Sequence, residues 1–269
     1  MSDFDLVVYG ATGFTGKLVA QYLAERGGPE RIALAGRNPD RLAHVAADLD
    51  VSWPMIVADA SDPKSLAALA ESTKAVVTTV GPYMKYGLPL VEACARAGTH
   101  YEDLAGEVLF MRQSIERYDQ LARETGARIV HASGFDSIPS DLGVHLLHEA
   151  AEGELGETVM AVRWASGGFS GGTIASGIGQ MEAARQDPRL AKIMSDPYAL
   201  TPGAAGPDAG DQVWVNYEPV LDSWTGPFLM AMINTRVVRR SNFLSDFSYG
   251  RGFRYKEVVA TGPGWGGRA

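Results

Sequence analysis

The chain has a single cysteine, Cys94, among its 269 residues. A lone thiol excludes an internal disulfide and a cysteine-only metal cluster, and it fits a reducing compartment. Long apolar runs are missing too: no stretch approaches the ~20 residues that a membrane-spanning helix needs. The opening MSDFDLVVYG places two aspartates where a secretory signal carries basic residues. Cations are in the minority, 24 Lys and Arg against 32 Asp and Glu, for a formal charge of -8. A nucleic-acid binder would show a basic footprint instead. These absences point to a cytoplasmic protein that does not engage nucleic acid. Peripheral contact with a membrane surface is left open.

Glycine is the residue in excess, with 31 in the chain, above a usual share of about 7%. The excess is local. YGATGFTGKL, residues 9–18, sets Gly10, Gly13 and Gly16 between the β-branched run FDLVVYG and a helical segment, 16–26. Leu18, Val19, Tyr22 and Leu23 share one face of that helix. RIALAGR, MIVADA, KAVVTTVGP, THYEDLA and ARIVHASGF read as further strands, separated by DRLAHVAADL, PKSLAALAES, LPLVEACARAG and SIERYDQLARETG as helices. The alternation predicts right-handed crossovers and a doubly wound parallel sheet of the Rossmann type, an α/β domain over residues 1–150.

Beyond the acidic linker HEAAEGELGE the pattern changes. TVMAVRWA alternates like a half-buried strand, GGFSGGTIASGIGQ leads into a helix running to about Gln186, and the segment 187–211, broken by Pro and Gly, reads as an exposed loop. The GGFSGG stretch is either a connector or a lid. QVWVNYEP, FLMAMINTRVV and FRYKEVVATG mix β-formers with aromatics. Residues 151–269 are therefore expected to form an α+β domain for substrate or dimerisation. The ending GPGWGGRA reads as a loop cut short, so that domain is expected to be truncated.

At a strand-to-helix join, glycines supply a tight turn, a close approach of backbone to a pyrophosphate, and close helix packing. The helix start adds N–H groups and the positive end of a dipole. Gly10, Thr12, Gly13, Phe14, Thr15 and Gly16 are accordingly assigned to a dinucleotide diphosphate. An NAD site ends its second strand in Asp or Glu, whereas Arg37 and Asn38 stand there and suit the 2′-phosphate of NADP. Asp59 and Ala60, after the third strand, are placed at the adenine, with a capping loop as the alternative for Asp59. Val80, Gly81, Pro82 and Tyr83, after the fourth strand, are placed along the nicotinamide ribose.

With YGATGFTG, AGRN, VGPY and GFDSIPSDLG in order, then SGGTIAS and PFLMAMINTRVVRRSN, the chain resembles the saccharopine dehydrogenase-like oxidoreductases over nearly its whole length. It is most similar to their bacterial branch of trans-acting enoyl reductases of lipid and polyketide pathways. The resemblance implies NADPH-dependent reduction of an enoyl C=C or an imine. The substrate would be of lipid, polyketide or amino-acid type, a small molecule or one carried by an acyl carrier, and the protein a homodimer. The alternative is an NADP-binding scaffold without catalysis, acting through dimerisation or membrane association.

No Tyr-x-x-x-Lys pair marks the nicotinamide end, since YMKYG puts Lys85 two residues after Tyr83. Tyr83 and Asp136 are the candidate catalytic residues, with Tyr101, Asp103 and Ser137 as further polar groups at strand ends. The alternative for Tyr83 is aromatic packing, and for Asp136 and Ser137 a helix N-cap before DLGVHLLHEA. His145 and His148 share a helix face without a matching carboxylate motif, so no metal is expected. Arg236, Arg239 and Arg240 in RVVRR could clasp an anion if helical. An extended edge or interface strand, with the cations merely solvated, is the preferred reading.

Overall fold

A computed structural model describes residues 2–164, 171–264 and 267. The chain divides into two compact units, residues 1–133 with 175–179, and residues 134–174 with 180–269. In the first unit, β1 (Phe4–Tyr9), β2 (Ile32–Gly36), β3 (Met55–Val57), β4 (Thr73–Thr78), β5 (His100–Asp103) and β6 (Ile129–Val130) pair in parallel in the order β3-β2-β1-β4-β5-β6. The crossovers carry α1 (Phe14–Arg26), α2 (Pro39–Asp48), α3 (Pro63–Ser72), α4 (Tyr83–Ala97) and α5 (Val108–Thr125). This is the expected doubly wound sheet. Strand order reverses between β1 and β4, which opens a crevice at their carboxyl ends.

Val8, Ile32 and Leu34 of the sheet meet Ala20 of α1 and Leu42 and Val45 of α2 in one buried cluster. Of the face expected on α1, only Val19 and Leu23 pack here; Leu18 and Tyr22 are 50% and 59% exposed. The reason is proximity. Gly16 and Ala20 are the residues α1 buries, so the helix lies too close to the sheet for larger side chains on that line.

Helix α4 starts at Tyr83, earlier than LPLVEACARAG suggests, and contains Pro89 in its interior. The extension is stabilised from outside the helix. Glu107 accepts the N–H groups of Tyr83 and Met84, each at 2.8 Å, which satisfies donors that have no partner within the helix.

In the remainder of the chain, α6 (Ile138–Ala151), β7 (Glu157–Val162), α7 (Gly171–Gln186), α8 (Pro188–Ser195), β8 (Asn216–Glu218), β9 (Ser223–Pro227), α9 (Ala231–Leu244) and β10 (Arg254–Gly262) follow. A mixed sheet runs β7-β10-β9-β8, with β10 parallel to β7 and antiparallel to β9. Val144 of α6, Val238 of α9 and Tyr255 of β10 share a core with Leu155, Tyr249 and Phe253. Helix α6 thus lies in the second unit, and the division falls after Ser133.

Two expectations fail in this unit. The segment 187–211 is no free loop: α8 is capped by Asp187, which accepts the Arg189 N–H at 2.8 Å, and Ala199 and Leu200 are buried. RVVRR is helical, within α9, and Arg236 and Arg239 are 3% and 5% exposed. Their guanidinium groups pair with Asp211 at 2.6 Å and Asp208 at 2.8 Å. Cations and aspartates neutralise one another, so burial replaces the solvated edge that the sequence suggested.

Candidate functional site

Strand β1 ends at Tyr9, and Gly10 turns the chain with φ +90°, a left-handed value suited to glycine. Its N–H donates to the Ala35 carbonyl and its own carbonyl accepts the Gly13 N–H, both at 2.9 Å. A Cβ on Gly10 would come 2.8 Å from Thr79 Oγ1 and Val80 Cγ2, and one on Gly16 would overlap the Gly10 carbonyl oxygen. Gly13, at the N-cap of α1, offers no side chain to the first N–H groups of the helix. Around it Thr12 and Thr15 are half-buried and Phe14 is 80% exposed. The loop after β4 comes to the same place, because Thr79 donates its N–H to Tyr9 at 3.0 Å and its hydroxyl to Gly10 at 3.4 Å. Such a cradle suits a diphosphate.

Arg37 and Asn38 follow β2, and Asn38 caps α2 by accepting the Arg41 N–H at 2.9 Å. The cap places Arg41 beside the β1 turn, where Nη2 donates to the Thr12 carbonyl at 3.3 Å. Thr12, Arg37, Asn38, Arg41 and Asp59 line one open cleft. Two guanidinium groups in one cleft fit a phosphate dianion. Arg41 is absent from the sequence assignment, yet the signal was there: Asn-Pro marks a cap and first turn, which fixes the residue three places after the cap. Asp59 accepts the Ser61 hydroxyl at 2.6 Å and its N–H at 2.8 Å. Those bonds, with Arg37 nearby, hold its carboxyl below the usual range. Ala60, next in the chain, is buried. Burial, then the Asp59 charge, pushes the phenol of Tyr9 up to about 12.

Among the VGPY residues, Val80 lies against Gly10, Gly81 is exposed and Pro82 holds the N-cap of α4. Tyr83 is 5% exposed; its hydroxyl donates to the Thr78 carbonyl at 3.1 Å and its ring stacks on Phe110 at 5.5 Å. Burial raises its pKa well above the phenolic value. This geometry gives Tyr83 the packing alternative, with its proton committed inside the sheet.

Asp103 is buried and saturated: Oδ2 meets Tyr101 Oη at 2.8 Å and His131 Nδ1 at 2.7 Å, and Oδ1 accepts the N–H groups of Ala105 and Ala132. His131 Nε2 lies 2.8 Å from Ser114 Oγ. In the second unit Asp136 is exposed just before α6. Ser137 holds the expected N-cap position of α6, but its hydroxyl donates to Asn234 Oδ1 at 2.8 Å instead of capping. Asn234 Nδ2 donates to Ser140 Oγ and to Glu257 Oε2, whose other oxygen accepts the Tyr255 hydroxyl at 2.8 Å. Burial raises the pKa of Glu257. His148 Nδ1 lies 3.1 Å from the Gly153 carbonyl. Among the described residues no cluster of His, Cys, Asp and Glu is suited to a metal, and no helix is long and apolar enough to cross a membrane. Residues 167–170 of the GGFSGG stretch and the side chains of 171–176 lie outside the described residues, while Gly171 and Gly172 open α7.

Residues 6–130, which carry the glycine turn, both cleft arginines and the β4 loop, match the saccharopine dehydrogenase NADP binding domain. This part of the chain belongs to that family. A Mycobacterium tuberculosis protein provisionally named a trans-acting enoyl reductase is 53% identical over 275 residues, covering 97% of this chain and 66% of its own length. A Mycobacterium ulcerans protein named a trans-acting enoyl reductase is 48% identical over 280 residues with the same coverage. The chain thus spans 66% of the length of these relatives. Among solved structures, saccharopine dehydrogenase (L-Glu forming) of Saccharomyces cerevisiae aligns at TM-score 0.44 and 15% identity, over 59% of this chain and 34% of its own. The family is one of NADP-binding oxidoreductases, and the unhindered glycine turn and paired guanidinium groups fit that cofactor.

Proposed function

We propose that the chain is an NADPH-dependent oxidoreductase acting on an enoyl C=C or an imine, the former in keeping with the names of its mycobacterial relatives. NADPH supplies the hydride when bound. The protein's own residues hold it. Gly10 to Gly16 and the start of α1 take the diphosphate, Arg37, Asn38 and Arg41 the 2′-phosphate, Asp59 and Ala60 the adenine end, and Val80 to Pro82 the nicotinamide ribose. Asp136 stays the candidate proton donor, on a turn whose next residue is anchored through Ser137 to Asn234. The acceptor is a small molecule or an acyl group on a carrier, and the protein a cytoplasmic homodimer.

The observation that carries the reading is the cleft shared by Thr12, Arg37 and Arg41 beside the glycine turn. Titration with NADPH and NADH, then loss of NADPH absorbance with α,β-unsaturated thioesters and with imines, tests it. Tighter binding of NADPH and turnover of one acceptor class are expected. Equal affinities, or binding with no turnover of either class, overturn the reading, and a monomer mass by light scattering removes the dimer.

A further inference from the structure

We infer that Glu107 is the positioning residue for the nicotinamide end of the crevice, and that its carboxylate occupies the helix terminus where an anionic acceptor would otherwise sit. The inference rests on the cofactor site proposed above. It starts from topology: β4 borders the reversal of strand order, and α4 begins directly after its loop. A helix N-terminus at a switch point is a natural seat for an anion.

Here the seat is taken from within the chain. Glu107 Oε1 accepts from Tyr83 N and Oε2 from Met84 N, each at 2.8 Å. The carboxylate is rigidly presented: Glu107 is 1% exposed and is itself the N-cap of α5, and the next residues, Val108, Leu109 and Phe110, are all buried. Phe110 then stacks on Tyr83, and Gly87 leaves room for its ring, since a Cβ there would lie 2.7 Å from Phe110 Cζ. The short loop 80–82 is thereby fixed at both ends. Thr79 ties it to Tyr9 and Gly10 on one side, and Glu107 clamps the first turn of α4 on the other. Two consequences follow for the nicotinamide that this loop would face. Its ribose meets a preset wall rather than a flexible one. A carboxylate acceptor meets a like charge and no free donors at that terminus, whereas a neutral enoyl thioester meets neither penalty.

The test uses the full chain carrying Glu107→Gln, which keeps the side-chain size, removes the charge and turns an amide N–H₂ toward one of the two donors. NADPH and adenosine 2′,5′-bisphosphate, which has the 2′-phosphate but no nicotinamide, are titrated against parent and variant. NADPH is expected to weaken about tenfold, with altered fluorescence of the bound nicotinamide, while the bisphosphate keeps its parental affinity. Loss shared equally by both ligands, or by neither, overturns the positioning role. Should Glu107→Gln melt below the working temperature, Glu107→Asp retains the charge at shorter reach. It is expected to give a smaller loss confined to NADPH, and any other result overturns the role. Glutarate should perturb the bound-NADPH fluorescence of the variant and leave that of the parent unchanged; any other pattern overturns the exclusion of anions. A parent that binds neither nucleotide instead removes the cofactor site, which separates the two failures.

Discussion

Arg41 and Thr12 are joined by a hydrogen bond of 3.3 Å from guanidinium to backbone carbonyl, so the first turn of α2 is tethered to the glycine turn after β1. In the proposed cofactor site Arg41 would meet the 2′-phosphate, with Arg37 on the same cleft. Arg41→Ala and Arg37→Ala should each weaken NADPH by about 1.5–3 kcal/mol, the usual worth of a hydrogen bond to a charged group. NADH affinity should stay as it is. Calorimetric titration at fixed salt checks this, and a parallel loss of NADH affinity counts against the assignment.

Gly16→Ala addresses the cradle itself. Its methyl would overlap a backbone carbonyl, and backbone cannot swing aside as a flexible side chain does. Overpacking of this kind costs about 1–3 kcal/mol. A lowered unfolding midpoint together with lost NADPH binding is expected, and Gly143→Ala, inside α6 with open space around its Cβ position, serves as the control that keeps NADPH binding and does not lower the midpoint.

The ion pair of Arg239 and Asp208 is almost fully enclosed, with side chains 4% and 6% exposed. Removing one partner strands the other. Arg239→Met should destabilise the second unit by about 3–5 kcal/mol, while the double variant Asp208→Leu/Arg239→Met recovers much of that loss. Urea unfolding of the parent, the two single variants Asp208→Leu and Arg239→Met, and the double variant measures the coupling, and additive losses would show that the two groups act separately.

Glu257 makes the second unit sensitive to pH. Burial raises its pKa in the folded state above the ordinary 4.5, so the native form holds the proton more firmly than the unfolded chain does. The stabilisation is complete below that ordinary value and declines as pH climbs through the raised one. Burial raises Asp141 as well, which acts in the same direction. Denaturant midpoints across about pH 4 to 8 should fall with rising pH, and less steeply for Glu257→Gln. An identical slope in both proteins contradicts this.

The first unit was largely legible in the sequence because its signals are local. Apolar strands, capped helices and a glycine turn each announce themselves within about ten residues, and the parallel order follows from the crossovers. What stayed hidden depends on partners remote in sequence. The early start of α4 could not be read from YMKYGLPL, because the acceptor for its first N–H groups, Glu107, lies 24 residues beyond Tyr83. RVVRR looked like a solvated strand for the same reason: nothing within the motif announces Asp208 and Asp211. The sequence drew attention to the glycine turn and to Arg37 and Asn38, which the structure brings beside one cleft. Arg41 joins that cleft through the helix cap, which following the strand end did not reveal, and the inward turn of the Tyr83 hydroxyl was hidden because sequence shows where a hydroxyl sits along the chain and not which way it points.

The hydrogen bond from Ser137 to Asn234 bridges 97 residues, and Glu257 closes the same network. On the ribosome, a nascent chain has every strand of the first sheet in hand once Val130 has emerged. The second unit must wait for Asn234 and then Glu257, leaving the hydroxyls of Ser137 and Ser140 without Asn234 until 97 and 94 further residues have been added. Vectorial synthesis thus gives the nucleotide half a head start, and the interval after it is when chaperones would find this polypeptide most in need of shelter.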